Sequence, residues 1–584
     1  MPPPPPPPPR LRDHECGGLL WDSDFDGGNA MSVEQKSEDH FVLHTSADCE
    51  GTPEQAGGRT WFGFSVRGAE RGRALTLEVR NMNCQGKLFR WDMRPVWRCL
   101  PSKPAWERVR TSVSTSGTKE GDDFVLRFRH KAEAAAGEAL HFAFCYPFTY
   151  ADVCAQLARL DALFGQPPAA AESLGPPPRS AADREAADAA VATAAAVLPL
   201  RRPAGVYYRR ECLCRSLDGR RVELLTVTSS ARQLAEREAP IGGCFPDGGE
   251  RPHRFERKRV FFISARVHPG EVPASHVLHG LLAFLLRDGD PRAAALRDRF
   301  VFKFVPMLNP DGCARGHYRS DTLGLNLNRV YLTATPDRHP TIVAASAALR
   351  QLHERGELAF YIDCHGHATK RGCFLYGNGL PPERQLETVL YAKLVALNSR
   401  FFDFGGRVFY LKNNKKDKAG ETKEGSGRVA VYKMTDMTYC YTLECNYNMG
   451  RVVNALPARH VPTGKDRIRN GAMSPEPPRS RGAPPKYTPE SWADVGKALG
   501  LAALDVCGAN PASRLGAEGA GMARLRASVG AWVRTQARKQ EARAAKRAAA
   551  AGSSDEDDDE EEEAEEEEDG GAAGMAKLRV GGEE

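Results

Sequence analysis

Alternation between strand-like and helix-like segments over residues 205–515 constrains the fold of this 584-residue chain most strongly. The run KRVFFISARV is rich in β-branched and aromatic residues. It is followed by ASHVLHGLLAFLLRD, in which apolar residues from Val277 to Leu285 recur at helical spacing. Further strand-like runs, RFVFKFVPML, LAFYIDCHG and YCYTLECNY, are separated by helix-like segments. This alternation predicts an α/β domain with a largely parallel or mixed sheet.

The residues before this domain follow a different pattern. Residues 40–160 contain short alternating runs separated by turn residues, among them WFGFSVRG, ALTLEVRNM, DDFVLRFRH and LHFAFCYPF. Such runs predict an antiparallel β-sandwich domain. Residues 1–39, which are rich in proline, glycine and charge, are predicted to be disordered. Residues 161–204 are rich in alanine and proline and are predicted to form a linker or an inserted helix.

The segments after residue 515 carry opposite charges. Residues 516–552 are predicted to form a basic, alanine-rich helix, and residues 553–584 an acidic disordered tail, with 14 acids among the 15 residues from Asp555 to Asp569. The net charge of +6 therefore hides a strongly basic body. Such a body favours an acidic partner, which could be nucleic acid, anionic lipid or an acidic peptide tail, although a solvated basic surface explains the charge equally well.

Two further features of composition limit the class of protein. The sequence has no run of about 18 apolar residues, and MPPPPPPPPRLR lacks the apolar core of a signal peptide. Its 15 cysteines have no repeating spacing, so we expect reduced thiols rather than a disulfide scaffold. We therefore expect an intracellular protein that is not inserted in a membrane.

Metal-ligating residue types lie where two predicted strands end. Proline and glycine in His268-Pro-Gly-Glu271 would end a strand, which puts His268 and Glu271 at the edge where open α/β sheets carry their sites. His365 follows another strand in YIDCHGH. Two imidazoles and one carboxylate suit a tetrahedral Zn²⁺ with an open fourth position. His367 is an alternative to His365, and a lone histidine at such a position is more often a capping or core residue.

Two loops and the last strand add groups with catalytic chemistry. Arg319 could polarise a scissile carbonyl and hold its oxyanion, and the pair Asn328-Arg329 could grip a terminal carboxylate. Glu444 lies in the apolar run YTLECNY, where a raised pKa would suit a general base. Taken alone, Glu444 is more often a strand-end surface acid, and the sequence Asn-Pro-Asp-Gly at residues 309–312 is an ordinary turn.

The order of these residues resembles that in zinc carboxypeptidases of the carboxypeptidase A type. The matching series is His268-x-x-Glu271, Asn309-Pro310-Asp311-Gly312, Arg319, Asn328-Arg329, His365 and Glu444. In addition, FCYPFTYADV and the preceding β-rich region are similar to the N-terminal part of the cytosolic carboxypeptidase family. The resemblance covers about residues 40–515. It implies an α/β carboxypeptidase domain with a mixed sheet of the eight-stranded type flanked by helices, preceded by an antiparallel β-sandwich.

The resemblance also implies roles for individual residues. His268, Glu271 and His365 would bind one Zn²⁺ per chain, and Glu444 would be the catalytic base and acid. Arg319 would stabilise the oxyanion, while Asn328 and Arg329 would hold the substrate α-carboxylate. Arg428, in GSGRVAVY, falls where the family builds its specificity pocket, and a cation there would favour an acidic terminal residue. Secreted relatives have aspartate where this chain has Asn326.

The activity implied is removal of glutamate from polyglutamylated proteins, chiefly tubulin tails. The segments GLNLNRVY and GSGRVAVYKMTDMTYCYTLECNYNMG most resemble one branch of the cytosolic carboxypeptidase family. That branch is similar to enzymes that cleave the branch-point γ-linked glutamate. Expected partners are microtubules and other polyglutamylated tails. The basic loop Lys412–Lys423 could steer such acidic tails toward the protein. Neither nucleic acid nor a membrane is expected as a partner. The expected location is the cytoplasm, on the cytoskeleton, with the cilium or nucleus as further sites.

Two rival hypotheses remain open from the sequence. One is a carboxypeptidase that removes a C-terminal tyrosine or another residue from tubulin, which the cation at Arg428 disfavours. The other is a catalytically silent scaffold that binds microtubules.

Overall fold

The computed structural model describes residues 5–117, 124–167, 192, 198–409, 423–459, 486–516 and 520–549. These residues form a β-rich N-terminal domain that packs against a larger α/β domain. Among the helices in these ranges, none has the length and apolar character needed to cross a membrane.

Two sheets build the N-terminal domain. In chain order its strands are β1 (His14–Cys16), β2 (Leu19–Asp22), β3 (Ser32–Ser37), β4 (His40–His44), β5 (Gly63–Arg67), β6 (Ala74–Arg80), β7 (Val96–Leu100), β8 (Lys103–Arg108), β9 (Ser114–Ser116), β10 (Val125–Lys131) and β11 (Ala139–Ala143). One sheet has the order β1-β2-β5-β11-β7-β8 and the other β3-β4-β6-β10-β9. The strand pairs are antiparallel except for β4 and β6.

The structure differs from the prediction that residues 1–39 are disordered. Strands β1 to β3 lie in this range, and Trp21 on β2 is fully buried beside Phe41 and Phe64. These strands are three to six residues long and sit among proline, glycine and charged residues. Short strands of this kind lack a clear period, and β2 is stabilised here by pairing with β5, which is distant in sequence.

Helices α1 (Gly86–Arg90) and α2 (Tyr150–Phe164) belong to this half of the chain. Helix α2 begins with a capping box, in which Thr149 and Asp152 each accept a hydrogen bond from the other's backbone N–H. It ends at Gly165, whose φ of 65° is the left-handed conformation that glycine adopts without strain. The rest of the predicted linker over residues 161–204 falls largely outside the described residues.

A seven-stranded mixed sheet forms the centre of the α/β domain. Its strands are β12 (Val206–Arg215), β13 (Arg221–Ser229), β16 (Arg259–Ala265), β17 (Phe300–Val305), β18 (Leu358–His367), β19 (Cys373–Tyr376) and β20 (Tyr439–Asn446). Their order is β12-β13-β17-β16-β18-β20-β19. β14 (Gln233–Arg237) and β15 (His253–Phe255) pair separately. The predicted α/β class is confirmed, with seven strands in the described residues against the eight of the expected sheet type.

Helices cover both faces of this sheet. They are α3 (Pro273–Leu285), α4 (Pro291–Arg299), α5 (Pro310–Ala314), α6 (Pro340–Glu354), α7 (Pro382–Asn398), α8 (Gly427–Thr435), α9 (Pro489–Val506) and α10 (Ala520–Ala549). Phe261 and Ile263 of β16 belong to one hydrophobic core with α3, α4, α7 and α9. Val260 and Phe262 belong to a second core with α6 and α8. Alternate residues of a strand face opposite sides, so a continuous apolar run is expected where both faces are buried.

Helices α3 and α9 pack at unusually short range because each contributes a glycine to the contact. A Cβ on Gly280 would lie 2.3 Å from Ala493 Cα, and one on Gly496 would lie 1.9 Å from the Val277 carbonyl oxygen. The close contact holds α3 tightly over the sheet, and α3 begins two residues after Glu271.

The central strands β16, β17, β18 and β20 run parallel, so their carboxyl ends meet at one edge. His268 follows β16, the turn at residues 309–312 follows β17, and His365 and Glu444 lie near the ends of β18 and β20. Helix α10 occupies the range in which a basic helix was predicted. The acidic tail at 553–584 and residues 412–422 of the basic loop lie outside the described residues.

Candidate metal centre and substrate-binding residues

His268, Glu271 and His365 form a buried group of potential metal ligands, and their ligand atoms all lie within 4.8 Å of one another. Nδ1 of His268 is 2.8 Å from Oε1 of Glu271, and Nδ1 of His365 is 2.9 Å from Oε2. The two Nδ1 atoms are 3.3 Å apart. The structure therefore brings together the three residues that the sequence suggested, each from a strand end or the turn after it.

The turn that carries His268 and Glu271 depends on a glycine. Gly270 donates its N–H to the carbonyl oxygen of Tyr318 at 2.8 Å. A Cβ at this position would lie 2.5 Å from the Tyr318 ring, so a side chain would push the two loops apart. Helix α3 then begins at Pro273, where the fixed φ of proline suits the first turn. These features hold Glu271 at the junction.

The second nitrogen of each histidine has a fixed partner. Nε2 of His365 is 2.8 Å from Oδ2 of Asp363, whose Oδ1 accepts a hydrogen bond from Ser264 Oγ at 2.8 Å. Nε2 of His268 is 2.9 Å from Oδ1 of Asn326. Partners of this kind orient ligating imidazoles with Nδ1 toward a metal. Sequence reasoning missed both roles, although Asp363 and His365 lie two apart on one strand and so share a face.

His367, the alternative to His365, has a different contact. Its Nδ1 accepts the backbone N–H groups of Thr369 and Lys370 at 3.2 and 3.1 Å. It therefore stabilises the turn after β18, and it is not part of the ligand group found among the described residues.

The charges of the three ligands complement each other. Burial raises the pKa of Glu271, but His268 and His365 outweigh burial and hold the pKa well below its usual range. Burial lowers the pKa of His268 to about 4, and Arg319 adds to this. Burial also opposes the charge on His365, yet Asp363 and Glu271 raise its pKa well above the usual value. The group thus offers an anionic carboxylate and a neutral imidazole for a cation.

Glu444 lies beside the ligand group because β18 and β20 pair in parallel with His365 opposite Glu444. Burial raises the pKa of the Glu444 carboxyl to about 8, with Glu271 adding to the rise and His365 opposing it. A carboxylate with a raised pKa next to a metal site suits proton transfer at neutral pH.

Arg319 reaches the same group from the loop between α5 and α6. Its Nη1 is 3.7 Å from Oε1 of Glu271, and 39% of its side chain is exposed. A guanidinium in this position faces the ligand group and is open to a substrate.

Asn328 and Arg329 lie in a short 3₁₀ helix, Leu327–Arg329. The side-chain oxygen of Asn328 accepts the backbone N–H of Gly427 at 2.9 Å, and Arg329 donates to the carbonyl oxygen of Asn328 at 3.0 Å. Oδ1 of Asn326 accepts the N–H of Asn328 at 3.0 Å as well as facing His268. The pair is therefore linked both to the ligand group and to the first residue of α8.

Arg428 is the second residue of α8 and follows Gly427 directly. Its Nη1 donates to the carbonyl oxygen of Gly377 at 2.8 Å and to Oδ1 of Asn378. Burial lowers the pKa of the Arg428 guanidinium. The structure thus places Arg428 next to the Asn328 contact, with its guanidinium anchored on the loop after β19, and its role in specificity stays a prediction.

The Asn-Pro-Asp-Gly sequence at residues 309–312 has a structural role. Oδ1 of Asn309 accepts the N–H of Gly312 at 3.0 Å and so caps α5. Asp311 accepts hydrogen bonds from Ser216, from the backbone of Asp218 and from Arg220. This sequence is therefore a capped turn, tied by Asp311 to residues next to β12 and β13.

The donor set fits Zn²⁺. His268 and His365, each with its Nε2 atom backed by an oxygen, and the Glu271 carboxylate would hold the ion, and a set of three protein ligands is typical of a zinc site open to substrate. A bound Zn²⁺ would act as a Lewis acid at this site, polarising a carbonyl and lowering the pKa of a water molecule.

Family models match parts of both domains of this chain. A family model described as zinc carboxypeptidase matches residues 208–447, and one described as the cytosolic carboxypeptidase N-terminal domain matches residues 21–144. A metallo-carboxypeptidase from Burkholderia cenocepacia has a similar fold, with a TM-score of 0.54 at 20% identity over 84% of this chain and 99% of its own. The α/β domain is thus a zinc carboxypeptidase domain.

Relatives that match over most of this chain identify its family more narrowly. Cytosolic carboxypeptidase-like protein 5 of Danio rerio is 37% identical over 88% of this chain and 67% of its own length. The Rattus norvegicus protein of the same name is 38% identical over 86% of this chain and 69% of its own. The chain belongs to the cytosolic carboxypeptidase family, which confirms the resemblance of the motifs. The match of the N-terminal model from residue 21 agrees with the strands found before residue 39.

Proposed function

We propose that this chain is a zinc-dependent protein deglutamylase. It would remove glutamate from polyglutamylated proteins, chiefly tubulin tails, including the branch-point γ-linked glutamate. The observation that carries the proposal is the contact between Asn328 and Gly427 at 2.9 Å, because it joins the candidate carboxylate-binding pair to the helix turn that bears Arg428. A terminal glutamate has two carboxylates, and this contact joins the two segments that carry Arg329 and Arg428, which would each bind one of them.

The similarity to cytosolic carboxypeptidase-like protein 5 supports the same substrate class. The strongly acidic tails of glutamylated tubulin also suit a basic protein, since charge complementarity favours encounter. We therefore propose microtubules and other polyglutamylated tails as partners. A location in the cytoplasm, on the cytoskeleton, follows from that choice of partner and from the family name.

Each candidate substrate-binding or catalytic residue has a role in the proposed hydrolysis. Arg329 and Asn328 would bind the α-carboxylate of the terminal residue, and Arg428 the acidic side chain. Glu444 would take a proton from the attacking water and transfer it to the leaving amine, for which a pKa near neutrality is suited. Arg319, which faces the ligand group, would stabilise the negative charge on the carbonyl oxygen.

The test is mass spectrometry of synthetic α-tubulin tail peptides after incubation with zinc-loaded protein. One peptide carries a single γ-linked glutamate branch, one ends in a linear Glu-Glu, and one ends in tyrosine. Loss of the branch glutamate, absent in the variant Glu444→Gln, is the expected result.

The other outcomes separate the rival functions. Trimming of the linear end alone would retain the catalytic assignment and change the specificity to chain shortening. Release of tyrosine alone would contradict the role of Arg428. Zinc bound at one ion per chain with no cleavage of any peptide would contradict the proposed activity.

A further inference from the structure

The loop that carries Arg319 is held by a carboxylate from the other domain. Asp48 lies in the N-terminal domain, just after β4, and its side chain is fully buried. Its Oδ1 accepts the backbone N–H of Tyr318 at 2.6 Å. Its Oδ2 accepts the N–H groups of Arg319 at 2.8 Å and of Ser320 at 2.7 Å. Three consecutive backbone N–H groups thus converge on one carboxylate.

This arrangement is stronger than an ordinary loop contact. Hydrogen bonds to an ionised carboxylate are shorter and about twice as strong as those between neutral groups. Successive N–H groups that point the same way form a concave anion site, and here Asp48 fills it. The geometry fixes the backbone direction at Arg319, and with it the point from which the side chain extends.

Asp48 is itself held rigidly. Its N–H donates to the carbonyl oxygen of Gly58 at 2.7 Å, and its carbonyl oxygen accepts the N–H of Ala56 at 2.8 Å. The neighbouring Cys49 donates its N–H to Nε2 of His317 at 3.4 Å. The segment 48–58 therefore forms a closed loop of the N-terminal domain that is bonded to the arginine loop on either side of Tyr318.

The guanidinium of Arg319 depends on this support. Its distance of 3.7 Å from Glu271 is longer than a hydrogen bond, and the side chain is partly exposed. The backbone that Asp48 anchors fixes the point from which this side chain reaches toward Glu271. Displacements of about 1 Å at a catalytic group can reduce rates about 100-fold.

We propose that Asp48 is a positioning residue for Arg319, so that the N-terminal domain supplies part of the active-site framework. The inference rests on the proposed function, because it takes Arg319 as the oxyanion-stabilising group. Asp48 acts through the backbone of residues 318–320 and not by touching substrate.

A double-mutant cycle tests this role. Asp48→Asn replaces one carboxylate oxygen by an NH₂ group, which cannot accept a hydrogen bond from a backbone N–H. The substitution is expected to lower kcat about 10- to 100-fold, with KM changed less than about threefold. In an Arg319→Ala background the same substitution is expected to change kcat less than about twofold, because the positioned group is gone. Equal factors in both backgrounds would show a general structural effect and overturn the proposal.

The controls separate local from global effects. Asp39→Asn, in the same domain, removes an exposed partner of Arg73 and should leave kcat unchanged. If Asp48→Asn does not fold, Gly58→Ala replaces it, since a Cβ there would lie 2.5 Å from Oδ2 of Asp48 and displace the carboxylate. An unchanged kcat in folded Gly58→Ala would overturn the proposal.

Hydrogen exchange tests the anchoring without any substrate. The amides of residues 318–320 should exchange at least about tenfold faster in Asp48→Asn than in wild type, with zinc content unchanged. Unchanged exchange rates would overturn the proposal. A wild-type protein that cleaves no glutamylated peptide would instead contradict the proposed function, and the exchange result would still decide whether Asp48 anchors the loop.

Discussion

His365 and Glu444 lie directly opposite each other on the parallel strands β18 and β20. This pairing puts a carboxylate with a pKa of about 8 beside the ligand group while leaving it outside that group. Proton transfer and metal binding are thus assigned to neighbouring strands, and substitutions should separate them.

Glu444→Gln keeps the size of the side chain but removes its ability to accept a proton. We expect kcat to fall by about 10²–10⁴-fold, the usual contribution of general acid–base catalysis. Zinc content, measured by atomic emission on the purified variant, should stay at one ion per chain. Glu357→Gln, at the other end of β18, is the matched control and should be fully active. Loss of zinc together with activity would contradict the division of roles.

Asp363 should control metal affinity through His365. Asp363→Asn weakens the 2.8 Å contact that orients the ring, so the zinc Kd should rise about 10- to 100-fold. Competition against a chromophoric chelator measures this change. Asp436→Asn removes an exposed carboxylate paired with Arg384 and should leave the Kd unchanged. An unaltered Kd in Asp363→Asn would mean that the contact does not support the ligand.

Arg428 should determine the preference for an acidic terminal residue. Arg428→Gln removes the cation, and kcat/KM for a terminal glutamate should fall about 30-fold or more, while that for a terminal neutral residue changes little. Paired peptides that differ only in the last residue measure the ratio. Arg384→Gln, at a half-buried arginine paired with Asp436, serves as the charge-matched control. Equal losses on both peptides would assign Arg428 to the framework instead of to specificity.

Glu78 should make the stability of the N-terminal domain depend on pH. It is fully buried on β6, and although burial raises its pKa, hydrogen bonds from Arg127 and Arg80 lower the pKa to about 2. The unfolded value is 4.5, so the stabilising contribution is complete above pH 4.5 and is lost as the pH falls toward 2.

The comparison of wild type with Glu78→Gln isolates this effect. The variant should have a lower urea midpoint at pH 7, and the difference should shrink as the pH is lowered below about 4.5. Glu133→Gln, a partly exposed carboxylate, controls for surface charge. A difference that is independent of pH would show that the carboxylate charge has no part in the stabilisation.

Some of these features could be predicted from the sequence because they depend on local chemistry. Proline and glycine after an apolar strand predict a turn, and parallel strands bring their carboxyl ends to one edge. These local rules led us to expect His268, Glu271 and His365 at one site. The resemblance to zinc carboxypeptidases added Glu444. The short strands that precede residue 39 could not be predicted in this way, since they lack a clear period and β2 pairs with β5, which is distant in sequence.

Asp48, Asn326 and Asp363 show what only the tertiary structure decided. Within the sequence Asp48 is one acid among many, 271 residues from Arg319, and its role exists only because the two domains pack together. Asn326 likewise gains its role by lying 2.9 Å from a histidine 58 residues away. Residue types and strand ends determine which chemistry is available. Contacts between distant segments determine which groups are oriented to perform it, because a hydrogen bond requires a geometry that sequence separation does not reveal.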